Sequence, residues 1–289
     1  MSVPLLHLQD QLSELTIAPS LGASLVNWRF KASGQALLRP TDAAALASGN
    51  PRQLGCYPLA PWSNRIAHGG FECPGGWLAL QANSAHDPYP IHGSAWQQAW
   101  QVQQCSVDRA RLSLDSTLPF AYQATLDVQL HGGCLSLALQ VIHQGPMPTW
   151  YGLGLHPYFP RLPDTRLQVG ADSVWLADDD GLPTRQAALP EPWNFGDGAA
   201  LPGTLVDHAF SGWAGDCVIE QPTAGYRLRC RASGAEHFML YCPPQQAFFC
   251  FEPVSHPVNA HHLPQRPGLR LLETGQATGL SWHMQYQAL

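Results

Sequence analysis

Apolar and polar side chains alternate with a period of two along several stretches of the chain. The alternation is clearest in five segments: LSELTIAP at 12–19, ARLSLDS at 110–116, ATLDVQL at 124–130, LSLALQVIH at 135–143 and YRLRCRA at 226–232. Successive side chains of a β-strand point to opposite faces of its sheet, so this pattern predicts half-buried antiparallel strands. The letters HGG between the third and fourth segments predict a tight β-hairpin over 124–143.

Turn-forming residues separate these segments. Glycine and proline number 26 each and recur in short clusters, while amphipathic stretches of helical length are nearly absent. No repeat of fixed period and no low-complexity linker divides the chain. We therefore predict an all-β protein, a single large antiparallel β-sandwich over residues 1–289. A division into two domains near the Pro-rich stretch 183–203 is the alternative.

The charge balance narrows the class of partner. The 289-residue chain has a formal net charge of −6 and only 12% charged side chains. It lacks the basic surface that neutralises phosphates, so we expect no nucleic-acid partner and favour a small neutral or polar ligand. The start of the chain has no basic region followed by an apolar run, and no window is long enough to cross a bilayer. We expect a soluble, cytoplasmic protein with no membrane partner, either a monomer or a homodimer.

The cysteines give no sign of a disulfide framework or a metal site. None of the eight forms a C-x-x-C pair, and most stand in apolar, strand-like surroundings. Reduced thiols buried in the core fit this pattern better than disulfides or zinc ligands.

Glu252 stands in the apolar run FFCFEPVSH. Strand alternation puts Cys250 and Glu252 on one face and Phe249 and Phe251 on the other, which predicts a central strand. Burying a carboxylate without a partner costs several kcal/mol and raises its pKa above about 4.3, which makes it a better proton acceptor. We expect Pro253 to end regular pairing and to leave Glu252 at a strand end, where sites tend to open. The alternative is a carboxylate that pairs with an arginine and only braces the sheet.

His156 occupies a similar position in the segment WYGLGLHPYF. Pro157 restricts the preceding residue to extended geometry and lacks an amide hydrogen, so we expect the imidazole at a bend rather than inside a ladder. With an ordinary pKa of about 6.5, it could donate a proton near neutrality. A buried histidine held by a carbonyl is the alternative.

Three further segments place polar groups beside aromatic residues. Asn64 and Arg65 lie in PWSNRIAHGGF, His92 in YPIHGSAW and Asp207 in VDHAFSGW. Arg65 offers a rigid fork of donors for adjacent hydroxyls or for a carboxylate, and a plain salt bridge is its alternative role. Because a pyranose presents hydroxyl edges and apolar faces, polar groups beside aromatic rings favour a sugar site.

Two other segments carry no chemistry in this interpretation. ADDDGLPT at 177–184 lacks the twelve-residue calcium-loop pattern and predicts a solvated turn. NAHHLPQ at 259–265 has adjacent histidines that diverge, and we expect a loop beside the cleft rather than a metal site.

In their order along the chain, these segments resemble the aldose 1-epimerase (mutarotase) family. The motifs that carry the resemblance are Asn64-Arg65-Ile66, His92-Gly93, Gly154-Leu155-His156-Pro157-Tyr158-Phe159, Asp207-His208-Ala209-Phe210 and Glu252-Pro253. The similarity extends from LTIAPSLGASLVNWRF to ETGQATGLSWHMQY, nearly the whole chain.

The resemblance implies a β-sandwich of the galactose mutarotase-like (supersandwich) type that binds a sugar in a cleft on its sheet and uses no cofactor and no metal. It implies Glu252 as general base and His156 as general acid in the interconversion of α and β anomers. It also implies a set of residues that hold sugar hydroxyls: Asn64, Arg65, His92, Tyr158 and Asp207.

The identity of the sugar stays open at this point. The HGSAW turn is shorter than the H-G-G-x-x-G-F form of galactose mutarotases, and the chain is closer to shorter bacterial-type epimerases. A hexose-6-phosphate 1-epimerase is one alternative, but it needs extra Arg or Lys near the cleft, and no such cluster accompanies the motifs. A non-catalytic carbohydrate-binding module is the other, and it would need neither the acid nor the base.

Overall fold

The structure, a computed structural model, describes residues 3–289 and consists mainly of short antiparallel strands. The first twelve strands are β1 (Leu6–Gln9), β2 (Ser13–Ala18), β3 (Ser24–Phe30), β4 (Pro58–Leu59), β5 (Gly70–Cys73), β6 (Gly76–Ala79), β7 (Gln101–Cys105), β8 (Arg109–Ser116), β9 (Tyr122–His131), β10 (Cys134–His143), β11 (Thr149–Tyr151) and β12 (Gly154–Leu155). The others are β13 (Tyr158–Pro160), β14 (Arg166–Val169), β15 (Ser173–Ala177), β16 (Pro183–Ala187), β17 (Ala199–Ala200), β18 (Val206–Ser211), β19 (Asp216–Gln221), β20 (Tyr226–Ser233), β21 (His237–Cys242), β22 (Phe248–Val254), β23 (Arg270–Leu272) and β24 (Ala277–Ala288).

Helical structure is scarce among the described residues. The α-helix α1 (Ala43–Ala47) begins after Asp42, whose carboxylate accepts a hydrogen bond from the Ala45 amide. Four 3-10 turns lie at Pro51–Gln53, Ala95–Gln97, Glu191–Trp193 and Ala260–His262.

Two large sheets form the sandwich. One has nine strands in the order β17-β14-β19-β20-β24-β10-β9-β8-β7, and the other has β16-β15-β18-β21-β22-β12-β4, with β13 also paired to β22. The predicted hairpin is confirmed, since β9 and β10 pair through Leu130 and Leu135 on either side of the two glycines. The all-β prediction is likewise confirmed. The Pro-rich stretch 183–203 carries β16 of one sheet and β17 of the other.

The core lies between the facing sides of the two sheets. Phe249 and Phe251 of β22 are fully buried, and Phe251 packs against Trp282 of β24 with ring centroids 6.2 Å apart. Phe159 reaches the same indole at 5.9 Å. Each such side chain contributes about 1.5–3 kcal/mol through its burial. Cys250 and Glu252 therefore point to the opposite side of the eight-stranded sheet, as the alternation predicts.

The prediction that Pro253 ends the strand is wrong. β22 continues to Val254, and Pro253 lies in register with Phe238 of β21. The strand on the other side of β22 is interrupted, because β12 pairs only as far as Leu155 and β13 begins at Tyr158. A residue without an amide hydrogen is tolerated where its neighbour supplies no ladder partner. The position of the carboxylate thus depends on a break in the neighbouring strand and not on the end of its own.

Candidate active site

All seven site residues predicted from the sequence line one cavity on the outer side of the eight-stranded sheet. Its volume is about 320 Å³, at the lower end of the range of about 300–1,000 Å³ for small-molecule sites. The predicted residues in its wall are Asn64, Arg65, His92, His156, Tyr158, Asp207 and Glu252.

Cross-strand register brings His156 and Glu252 together. Gly154 pairs with Val254 before the interruption and Tyr158 pairs with Cys250 after it, so the register is the same on both sides. His156 consequently falls opposite Glu252, at the distance of a cross-strand pair. Its Nε2 lies 3.4 Å from Glu252 Oε1, and the two side chains are only 9% and 4% exposed. Residues 96 positions apart in sequence therefore form one acid–base pair.

Burial shifts the two pKa values in opposite directions. It raises the pKa of Glu252 well above its ordinary value, and the nearby Asp207 carboxylate adds to this effect. It lowers the pKa of His156 to about 3, with the charge of Arg52 acting in the same direction. Because the low dielectric penalises both charged forms, burial favours a carboxylic acid beside a neutral imidazole over a carboxylate beside an imidazolium. A carboxylate with a raised pKa is a stronger base, and an imidazolium with a lowered pKa is a stronger acid.

Aromatic rings fix the orientation of the imidazole. The His156 ring packs against both Tyr57 and Tyr158, with ring centroids 4.6 and 4.7 Å away and planes within about 25° of parallel. Its Nδ1 has no hydrogen-bond partner among the described residues, and neither has Glu252 Oε2. Ring packing therefore orients the imidazole, and each residue of the pair has one buried polar atom without a protein partner in residues 3–289.

Asp87 and Asn64 position the guanidinium of Arg65. Arg65 Nε donates to Asp87 Oδ2 at 2.8 Å, and the Asn64 side-chain oxygen accepts from Arg65 Nη1 at 3.4 Å and from the Arg65 backbone amide at 2.9 Å. Asp87 is buried, so this ion pair is screened less than a surface pair. The salt bridge to Asp87 engages only the Nε edge of the guanidinium, and the Arg65 side chain also lines the cavity.

His92 is held in one tautomer. The Asn64 backbone amide donates to His92 Nδ1 at 3.0 Å, so Nδ1 is the acceptor and Nε2 carries the ring proton. Burial lowers the pKa of His92 well below its ordinary value, which keeps the ring neutral. The ring therefore offers one N–H donor, and its centroid lies 5.2 Å from that of His156.

Asp207 reaches the same face from β18. Asp207 pairs with Tyr241, which pairs with Cys250, so these side chains form one row across the sheet beside the row of Glu252. Burial raises the pKa of Asp207, and the charge of Arg65 opposes this shift. The cavity floor thus carries two carboxyl groups whose ionisation is disfavoured.

Three arginines line the cavity, which corrects the expectation that no basic cluster accompanies the motifs. Besides Arg65, these are Arg39 and Arg52, and neither forms an ion pair among the described residues. The Arg39 guanidinium lies 3.6 Å from the ring centre of Tyr158, and its Nη2 donates to the backbone oxygens of Arg52 and Leu54. Both arginines lie outside the motifs in the sequence, so their convergence on the cavity is seen only in the fold.

The remaining candidate segments behave largely as expected. Residues 178–182 form the turn between β15 and β16, with the Asp178 carboxylate accepting from the amides of Asp180 and Leu182. In the 259–265 loop, His261 packs on Phe71, whereas His262 Nε2 donates to the Gly70 backbone oxygen at 2.8 Å, so the adjacent rings diverge. All eight cysteines are free, as predicted.

One group of side chains in the described residues has the composition of a metal site. His156, Cys250 and Glu252 bring one ligand atom each within 4.8 Å of one another. Burial raises the pKa of the Cys250 thiol well above its ordinary value, so the thiolate that a metal would need is disfavoured. The arrangement suits proton transfer better than metal binding.

Larger depressions of about 710 and 650 Å³ lie on the outer face of the nine-stranded sheet. Their shared ion pair, Arg111 with Asp127, is about half exposed, and they contain no buried acid–base pair. The 320 Å³ cavity is therefore the better candidate for the active site. Among residues 3–289, no helix is long and apolar enough to cross a membrane.

Several cavity residues escaped the sequence analysis: Arg39, Arg52, Tyr57, Asp87, Tyr241 and Phe248. A signal existed for Arg39, a lone charge in the apolar stretch ALLRP of a chain with few charges. Asp87 and Tyr57 have no comparable local signal.

Comparisons with known proteins bear on the family and the fold of this chain. A sequence model described as aldose 1-epimerase matches residues 4–286. The Escherichia coli K12 protein YphB, itself uncharacterised, is 32% identical over 252 residues, which cover 84% of this chain and 86% of YphB. A crystal structure of an E. coli K12 protein assigned by its name to the aldose 1-epimerases superposes with a TM-score of 0.93 at 28% identity and covers 99% of both chains. A galactose mutarotase-like protein from Clostridium acetobutylicum shares the fold, with a TM-score of 0.88, 18% identity and coverage of 98% and 95%.

Proposed function

The chain belongs to the aldose 1-epimerase family, and we propose that it interconverts the α and β anomers of a free aldose by acid–base-catalysed ring opening. One observation carries the proposal: His156 and Glu252 lie 3.4 Å apart in a small cavity whose wall supplies further polar groups. Anomer exchange needs one proton removed from the C1 hydroxyl and another delivered to the ring oxygen, and a positioned acid and base suffice for both.

The proposed ring opening uses the pair in its charged arrangement. The Glu252 carboxylate takes the proton of the C1 hydroxyl, the bond between C1 and the ring oxygen breaks, and the His156 imidazolium protonates that oxygen. The product is an open-chain aldehyde beside a protonated Glu252 and a neutral His156. This is the arrangement that burial favours, so the two pKa shifts assist the opening step.

Reclosure reverses the roles. After rotation about the C1–C2 bond, the hydroxyl that was the ring oxygen attacks the other face of the aldehyde. Its proton returns to His156, and Glu252 gives its proton to the carbonyl oxygen. Arg65, His92 and Asp207 would hold the remaining hydroxyls while the chain turns.

Polarimetry on fresh α-anomers of glucose, galactose, xylose and arabinose tests the proposal. Equilibration faster than in buffer is expected for at least one sugar. If none of them equilibrates faster with the protein than without it, the catalytic claim is wrong, and the remaining interpretation is a carbohydrate-binding module.

A second candidate function is the epimerisation of an aldose that carries an anionic group, such as a hexose 6-phosphate. Arg39 and Arg52 favour it, because both line the cavity without a carboxylate partner among the described residues. Guanidinium groups pair strongly with phosphate oxygens. This function predicts a higher kcat/KM for glucose 6-phosphate than for glucose and competition by inorganic phosphate. Arg52→Gln should remove the preference. Equal inhibition of wild type and variant by phosphate would count against it.

A further inference from the structure

The acidic turn between β15 and β16 lies directly against Arg65. Gly181 in this turn has a φ of +75°. A Cβ atom added to it would lie 2.6 Å from Arg65 Nη1 and 3.0 Å from Arg65 Cζ. Two features therefore require glycine at this position: the positive φ of the backbone and the close approach to the guanidinium.

Two loops consequently hold the same guanidinium. The 84–89 loop does so through Asp87, which accepts from Arg65 Nε at 2.8 Å and also from the Tyr89 amide at 3.1 Å. The 178–181 turn does so through Gly181. A direct hydrogen bond joins the loops, because the Tyr89 hydroxyl donates to Asp180 Oδ2 at 3.3 Å.

The turn itself is pre-organised. The Asp178 carboxylate accepts from the amides of Asp180 and Leu182 at 3.0 and 2.9 Å. The Gly181 amide donates to the Asp178 backbone oxygen at 3.0 Å. These bonds fix the position of Gly181 relative to β15. The side chain of Arg65 is thus held on one edge by a carboxylate and covered by a backbone whose own position is set.

We propose that Gly181 is a positioning residue for Arg65, and that the Tyr89–Asp180 hydrogen bond fastens together the two loops that hold this guanidinium. The inference rests on the proposed function, in which Arg65 binds sugar hydroxyls. None of these three residues lines the cavity, so all three act through the placement of Arg65. Because Arg65 would contact the sugar in the ground state and the transition state alike, its displacement should change KM more than kcat.

The principal test compares Gly181→Ala with Gly225→Ala. Gly225 has a similar φ of +70°, but a Cβ atom there would meet nothing within 4 Å, so this control carries the backbone strain without the contact. With the aldose that wild type turns over fastest, Gly181→Ala should raise KM roughly tenfold or more, the loss expected for one charged hydrogen bond, while kcat changes much less. Gly225→Ala should leave both constants unchanged.

The affinity for the sugar can be measured without turnover. In the Glu252→Gln background, calorimetric titration with the same sugar should show the same fold loss of affinity for Gly181→Ala. In an Arg65→Ala background, Gly181→Ala should add no further loss, because the two changes remove one interaction.

The loop contact has its own variants, which remain informative if Gly181→Ala does not fold. Tyr89→Phe and Asp180→Ala should raise KM by a similar factor of roughly two to five, whereas Asp180→Asn, which keeps an acceptor oxygen, should restore the wild-type value. Asp179→Ala removes an equal charge from the same exposed turn and serves as control.

The outcomes separate the two claims. Wild-type turnover together with an unchanged KM in Gly181→Ala, Tyr89→Phe and Asp180→Ala overturns the positioning role and leaves the proposed function intact. A KM increase of equal size in Gly225→Ala also overturns the positioning role. Absence of wild-type turnover on every aldose overturns the proposed function and the positioning role with it.

Discussion

Replacement of Glu252 by glutamine should stabilise the protein, increasingly so as the pH rises. Glu252 is 3% exposed, and its Oε2 has no hydrogen-bond partner among the described residues. Burial raises the pKa of this carboxyl well above its ordinary value. Glutamine has nearly the same shape and does not ionise, so the substitution isolates the cost of the charge.

Proton linkage gives the sign and the slope of the pH dependence of this stability difference. Unfolded chains release the Glu252 proton near pH 4.3, whereas folded chains retain it to higher pH. Between these two pKa values the folded state binds more protons, so an increase in pH favours unfolding of the wild type. The free-energy difference in favour of Glu252→Gln should be small near pH 4 and grow by about 1.4 kcal/mol per pH unit until the folded pKa is reached.

Urea unfolding of both proteins at several values between about pH 4 and pH 8 measures this difference. A gain of about 1 kcal/mol corresponds to a rise in Tm of roughly 1.5 to 2 °C in a chain of this size. Glu72→Gln is the matched control, because Glu72 is exposed and its carboxylate is solvated in both states. A difference that does not change with pH, or a Glu252→Gln variant less stable than wild type at pH 8, would refute the argument that burial leaves this carboxyl uncompensated.

Three further outcomes are expected. The pH dependence of kcat/KM should be bell-shaped with its acid limb well below pH 5, because burial lowers the pKa of His156 to about 3 and the active pair needs one proton; a profile that already falls between pH 6 and pH 5 contradicts this. Asp87→Asn should raise KM roughly three- to tenfold with little change in kcat, because it weakens the charged partner of Arg65; Michaelis kinetics with an unchanged KM would disprove it. Gly93→Ala should cost about 2 kcal/mol or more, because φ is +64° and the new Cβ would lie 2.1 Å from the Ala60 oxygen; denaturant unfolding that shows a loss below about 1 kcal/mol would argue against this close approach.

Much of the sheet was predictable because strand pairing follows a local pattern. The alternation over 124–143 specified both strands of the β9–β10 hairpin, and the same rule assigned the two faces of β22 correctly, with Phe251 in the core and Glu252 on the other side. The continuation of β22 through Pro253 could not be predicted. It depends on an interruption in the neighbouring strand, which comes from a distant part of the sequence.

The composition of the site was only partly predictable. The motifs predicted seven residues that line one cavity. Arg39 and Arg52 lie outside every motif and reach the cavity through tertiary packing. The contact of Gly181 with Arg65 joins a turn to a loop more than a hundred residues earlier. No local periodicity encodes such contacts, so the anionic-substrate candidate gained support only from the structure.

The proposed catalysis depends most on proton transfer by Glu252 and His156 across one bound sugar. The most direct test measures anomer exchange and sugar affinity together for wild type, Glu252→Gln and His156→Asn. Both variants should lose roughly 10²-fold or more in kcat while calorimetry shows that they still bind the sugar. Turnover within threefold of wild type in either variant would contradict the assignment of that residue.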